Sequence, residues 1–209
     1  MPPMLRTTAA RLRRLATLDT TVFDEIRLDA TAIFPALVAA GISLFLFGLG
    51  GWLWWITSGL GDRGTVFFKT AVLGTAFSAA LWVAWLVVAT AVYQRLTGLP
   101  LRVDQLVRSA GFACLPLALG PLMAVPSVSF GVGIFLLAAW MVATHEALAS
   151  VAGRRGGPVV AANLAGFGVW VVVMSLLSTG AHQIGPGPFL AESIWDAIAS
   201  ANVIFQVTG

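Results

Sequence analysis

Charge is scarce in this sequence: Asp, Glu, Lys and Arg make up 10% of its 209 residues, against about 25% in a soluble domain. Hydrophobic residues make up 58%, and the mean hydropathy is +0.91. These values exclude an ordinary soluble domain and point to a bilayer as the solvent. Cysteine occurs once, as Cys114, so neither an intramolecular disulfide nor a cysteine-based zinc site can be built. Within an apolar run it reads as a small packing residue. The two histidines, His145 and His182, are expected on opposite sides of the membrane, where they cannot share a metal. No Ser-His-Asp set, phosphate-binding glycine loop or pair of carboxylates at bilayer depth is present. The run Gly131-Val-Gly133 lies in an apolar span and reads as packing rather than a dinucleotide loop. No catalytic site, cofactor or metal is therefore expected. Lysine occurs once among twelve basic residues. Arginine and alanine are correspondingly common, which fits a GC-rich bacterial genome. The net charge of +3 and the pI near 10.0 reflect loop arginines, so no nucleic-acid partner is expected. The opening MPPMLRTTAARLRRL lacks an apolar run ending in a small-residue cleavage site, and no segment is predicted to be removed.

What the chain does have is long apolar runs. Five are predicted to span, giving an all-α integral membrane bundle with amphipathic terminal helices. The first runs from Ala30 to Thr57, with Pro35 in its opening turns. Gly48, Gly50 and Gly51 admit a close neighbour, and Trp52, Trp54 and Trp55 form a belt at its far end. After a loop from Ser58 to Lys69, the second runs from about Thr70 to Tyr93, and Tyr93, Gln94 and Arg95 read as an interfacial anchor. The third is Val103 to Pro126, the fourth about Val128 to Ala149, and the fifth about Val159 to Thr179 after the basic loop around Arg154 and Arg155.

Residues 1–29 form a basic segment ahead of the spans. Leu5, Leu12, Leu15 and Leu18 share a helical face and the arginines lie mostly elsewhere, which fits either a helix on an anionic leaflet or a disordered basic tail. Asp19 to Asp29 reads as a juxtamembrane helix, capped by Asp19, Thr20 or Thr21 and docked on the span ends. Residues 180–209 follow the 30–179 membrane domain. After a linker around Gly185 to Pro188, Phe189 to Phe205 is predicted to be an amphipathic helix lying along the outer surface or packed on a partner. With five spans, ten of the twelve basic residues fall on the amino-terminal side. That side is therefore expected to be cytoplasmic and the carboxyl terminus outside.

The third span organises the reading. Pro116, Pro121 and Pro126 each remove a backbone donor, so it is predicted to be kinked or broken and sheltered by its neighbours. Asp104 and Arg108 are four residues apart on one helical face. They form either a buried ion pair that fixes the broken helix or lines a polar vestibule, or the arginine snorkels to lipid headgroups. His145 and Glu146 read as interfacial capping or, less simply, as a proton relay or pigment ligand. Asn163 is predicted to bond to Ser109 or to a carbonyl freed by Pro116.

Arg108, then Gly111-Phe112-Ala113, Pro116 and Pro126, followed by Ala139-Trp140 and Thr144 to Leu148, make up a pattern that resembles the Yip-domain family of polytopic membrane proteins. Phe23-Asp24-Glu25-Ile26 is similar to the acidic element ahead of the first span in its bacterial members. The resemblance implies a five-helix bundle with a cytosolic amino terminus. Eukaryotic members are associated with Rab-type GTPases. The long acidic, proline-rich amino-terminal region of those proteins is missing here, and GTPase binding is not carried over. The expected function is non-catalytic organisation of anionic lipid and other membrane proteins, as an accessory subunit of a larger complex. The alternatives are a small-solute transporter using the broken third span and an intramembrane enzyme.

Overall fold

The computed structural model describes residues 3–178, 185–191 and 194–197. Two short helices, α1 (Pro3–Ala16) and α2 (Val22–Leu28), precede five helices long and apolar enough to cross a membrane: Ala30–Thr57, Arg63–Thr97, Val103–Ala124, Ser129–Ala152 and Gly157–Ser178. Among the described residues every regular element is helical. Going round the bundle, the spans neighbour one another in the order first, third, fourth, fifth, second, and the second returns to the first. Large apolar side chains such as Val87, Ile134, Phe135 and Leu176 point outward, while Ser43, Ser78, Ser109 and Asn163 are buried. This is the distribution expected where lipid, not water, bathes the outer surface.

Lipid supplies no hydrophobic drive for one helix to leave it for another, so close packing must hold the bundle together. Glycine permits that packing at the first span. A Cβ on Gly50 would stand 2.0 Å from the Gly120 carbonyl oxygen, and one on Gly111 would stand 2.6 Å from that of Ala36. The first and third spans therefore touch backbone to backbone at two levels. Gly48 lies equally close to the second span, where its Cβ would meet the Thr70 carbonyl at 2.7 Å. Across the bundle, Gly166 of the fifth span fits against Trp85 of the second. Trp85 in turn meets Trp140 at 4.9 Å between ring centroids, and Trp140 meets Trp170 at 5.4 Å. These edge-on aromatic pairs join the second, fourth and fifth spans.

The third span ends at Ala124 rather than Pro126 and is broken by the two prolines inside it. It is α-helical through Ala113, then continues as a 3-10 helix from Leu115 to Ala124, with Pro116 at its start and Pro121 inside it. Eleven α-helical residues rise about 16 Å and ten 3-10 residues about 20 Å, together enough for a hydrocarbon core of about 30 Å. More of it is buried than of any other span, and Phe112, Cys114, Leu117 and Met123 are fully enclosed. Pro126 stands in the following turn, where its carbonyl accepts from the Ser129 hydroxyl at 3.0 Å.

Several boundaries differ from the sequence reading. The second helix begins at Arg63 rather than near Thr70, because the Asp62 carboxylate accepts from the Thr65 amide at 2.8 Å and caps it. Its residues Phe68–Gly74 form a π-helical stretch, which presents the Thr70 carbonyl to Gly48. The fourth helix runs on to Ala152 and ends at Gly153 with φ +64, a left-handed position suited to glycine. Tyr93 is buried, with the Arg154 guanidinium over its ring at 5.3 Å. The belt tryptophans pack inward too: Trp54 meets Phe130, and Trp55 meets Phe189.

The carboxyl-terminal segment departs most from expectation. Phe189, Leu190 and Ala191 are buried and outside any regular element rather than the start of an amphipathic surface helix. Gly185 to Pro188 is no exposed linker. Pro186 lies against Gly51 and Pro188 against Gly74, where a Cβ would stand 2.9 Å and 2.6 Å from the respective proline carbonyl oxygens. Ser178 donates to the Phe189 carbonyl at 2.8 Å, and the Ala191 amide donates to Leu177 at 2.9 Å. Residues 194–197 are helical. His182, Glu192 and the predicted helix beyond 197 lie outside the described residues.

Candidate functional site

Polar side chains concentrate at the amino-terminal face. α2 is amphipathic, and Val22, Phe23 and Ile26 are completely buried against Ala36, Phe112, Ala113 and Ala147, so it docks on the first, third and fourth spans. Leu12 and Leu15 of α1 pack on the same cluster. The leucine face proposed for a lipid leaflet is thus partly covered by protein. Ion pairs hold the two helices in place. Arg14 bonds Asp19 at 2.8 Å and Glu25 at 2.5 Å, clamping the turn between α1 and α2. Arg11 bonds Asp29 at 2.7 Å, tying α1 to the start of the first span. The Thr31 hydroxyl, and after it Arg11, hold the Asp29 carboxyl below the usual carboxylate range. Thr21 and then Arg14 do the same for Asp19. Asp19 accepts from the Thr21 amide and hydroxyl, and Thr21 itself stands at the α2 N-cap without a side-chain capping bond.

Between α2 and the end of the fourth span lies a cleft of about 370 Å³, lined by Thr20, Asp24, Arg27, Glu146, Ser150, Arg154 and Arg155 among others. The Ser150 hydroxyl donates to Asp24 at 2.7 Å across 126 residues of sequence. Asp24 also accepts from Arg27 at 3.2 Å, and Glu146 from Arg155 at 2.6 Å. Among the described residues no carboxylate pairs with Arg154, which lies over Tyr93. The wall is therefore rich in guanidinium donors, a chemistry suited to anions.

Arg108 sits deeper. Its side chain is 7% exposed, and it donates to the Asp104 carboxylate at 2.6 Å and to the Asp104 carbonyl at 3.1 Å. The two groups pair, but the Asp104 side chain is 55% exposed, so the pair reaches the surface rather than being enclosed. The half-exposed acid draws the buried cation back towards the surface. Asn163 does not reach Ser109 or a carbonyl freed by Pro116. Its amide donates to the Met141 carbonyl of the fourth span at 3.0 Å, because the fifth span packs on the fourth and second rather than on the third.

No family model, curated protein or solved structure matches this chain. Among the residues singled out by sequence, Asp104 and Arg108 pair directly. Gly111, Phe112 and Pro116 build the junction of the α-helical and 3-10 halves of the third span, and Trp140 belongs to the aromatic core. Glu146 joins the cleft wall, whereas its neighbour His145 is half-buried and does not line it. Among the described residues no three His, Cys, Asp or Glu side chains gather into a metal-binding group. Arg27, Ser150, Arg154 and Arg155 were not paired by the sequence reading, because only the docking of α2 brings them together. The one available signal was that all three arginines fell on the same predicted side.

Proposed function

We propose that this is a Yip-like, non-catalytic membrane protein that organises anionic lipid and membrane-protein partners from its amino-terminal face, as an accessory subunit of a larger complex. The observation that carries this reading is the docked α1–α2 pair, whose buried Val22, Phe23 and Ile26 fix a basic polar surface on the ends of the spans. A surface held this rigidly meets a partner without first being ordered, which lowers the entropic cost of binding. We assign that face to the cytoplasm of a bacterial inner membrane on the arginine asymmetry. The test is affinity purification of the full chain from native membranes in mild detergent, with identification of retained proteins and lipids. A stoichiometric membrane-protein partner or enriched anionic lipid is expected, and both should be lost from Phe23→Ala, which undocks α2. Recovery of neither with the wild-type chain would refute the reading.

A second reading, a small-solute transporter, draws support from the 3-10 third span and from the Ser109 and Thr144 hydroxyls, which are buried without partners on two helices packed together. Solute flux into vesicles reconstituted with the pure chain would favour it over the first.

A further inference from the structure

We propose that the cleft between α2 and the end of the fourth span is a binding site for a singly charged phosphate ester, supplied by the headgroup of an anionic phospholipid. The inference rests on the reading of this face as an interaction surface and gives that surface a defined ligand.

Charge is the first argument. The wall holds three guanidiniums, Arg27, Arg154 and Arg155, against two carboxylates, Asp24 and Glu146. Two of the three cations are already neutralised within the wall, Arg27 by Asp24 and Arg155 by Glu146. Arg154 has no carboxylate partner among the described residues. A monoanion balances the site, whereas a dianion would overload it. A guanidinium offers a phosphate two parallel N–H donors, and Arg154 is held in place by the Tyr93 ring beneath it. Thr20 adds a hydroxyl to the same wall.

Location is the second. The cleft is bounded by the last turn of the fourth span, and Tyr93 under Arg154 lies one turn before the end of the second. Both lie where apolar helix gives way to polar loop, the depth at which lipid phosphates sit. Basic pockets between helix ends at this level suit phospholipid headgroups. Size is the third, since about 370 Å³ is within the range of small-ligand sites.

The test uses the full chain in neutral phosphatidylcholine nanodiscs, titrated with phosphatidylglycerol and followed by native mass spectrometry. Short-chain phosphatidylcholine and inorganic phosphate serve as competitors. Phosphatidylglycerol is expected to occupy one site, and Arg154→Gln to weaken it about tenfold, the loss of one charge-assisted hydrogen bond. Glu146→Gln, which frees Arg155, is expected to tighten it several-fold. Opposite effects from two neighbouring substitutions cannot arise from misfolding alone. Equal occupancy by phosphatidylcholine, or both variants shifting binding in the same direction, would overturn the site. Displacement by inorganic phosphate at the lipid's own concentration would overturn the lipid as its source. If the site fails while a protein partner still co-purifies in an α2-dependent way, the broader functional reading stands.

Discussion

The backbone contact between Gly50 and Gly120 gives a quantitative test of how the broken third span is held. In Gly120→Ala the new Cβ would lie 2.3 Å from the Leu46 carbonyl oxygen and 2.6 Å from the Phe47 Cα. Both are backbone atoms, so no rotamer change relieves the clash and the first and third spans must part by roughly 1 Å. Opening a packed seam forfeits part of the dispersion energy along its length, and overpacking of this kind costs about 1–3 kcal/mol. The protein carries its own reporter, because Cys114 is the single thiol, is fully buried and lies six residues before Gly120 on the same span. If labelling by a thiol-reactive coumarin requires the seam to open, that cost corresponds to a roughly 5- to 150-fold faster reaction and a lower melting temperature in the same assay. Gly131→Ala is the control, since nothing lies within 4 Å of its Cβ position. Indistinguishable labelling rates and melting temperatures for the two variants would refute the claim that glycine at this contact holds the spans together.

Three further outcomes are expected. Asp104→Asn leaves the buried Arg108 without its counter-charge, at a cost of about 1 kcal/mol because the acid is half exposed and screened by solvent. Arg108→Met removes the buried charge altogether and should cost less; a smaller loss of melting temperature in detergent for Asp104→Asn than for Arg108→Met would contradict the pairing. The Asp29 carboxyl is held below its ordinary value of 3.8. The anchoring of α1 that it provides is therefore present above that value and lost as pH falls through the lower folded one. Protection factors across residues 3–16, corrected for the slower intrinsic exchange at low pH, should fall on acidification in the wild type, whereas in Asp29→Asn they should already be low at neutral pH. Phe189→Ala deletes a ring that is 7% exposed and stacked edge-on with Trp55. It should release the carboxyl-terminal segment to protease while the five spans remain protected, and unchanged proteolysis would argue against that anchor.

The five spans were legible because each is a long run with almost no charge, and span existence depends on composition alone. The break in the third span was equally legible, since Pro116 and Pro121 cannot share an unbroken α-helix, although Pro126 stands in the turn beyond it. The glycines of the first span announced close approach, although not the partner. Gly50 and Gly120 meet only because the 3-10 half of the third span turns its glycine towards the first. The start of the second helix was misplaced because Arg63 and Lys69 looked like loop charges, while the cap from Asp62 to Thr65 was overlooked. Asn163 found a fourth-span carbonyl instead of the third span because helix order around the bundle is a tertiary fact. The candidate site was the least legible feature. Its walls join α2 to residues beyond the fourth span, and the bond from Ser150 to Asp24 that ties them depends on that docking. The tail misled because Gly-Pro-Gly-Pro has linker composition, yet its small residues also fit a narrow groove between glycine-bearing helices.

That groove has a consequence for biogenesis. The segment lodged against Gly51 and Gly74 follows the fifth span in the chain, so it leaves the ribosome after every wall it touches has been made. The first two spans must therefore wait with Gly51 and Gly74 uncovered until the residues that follow the fifth span have been made. The stretch from Gly185 to Ala191 acts as a keystone, seated against walls already in place.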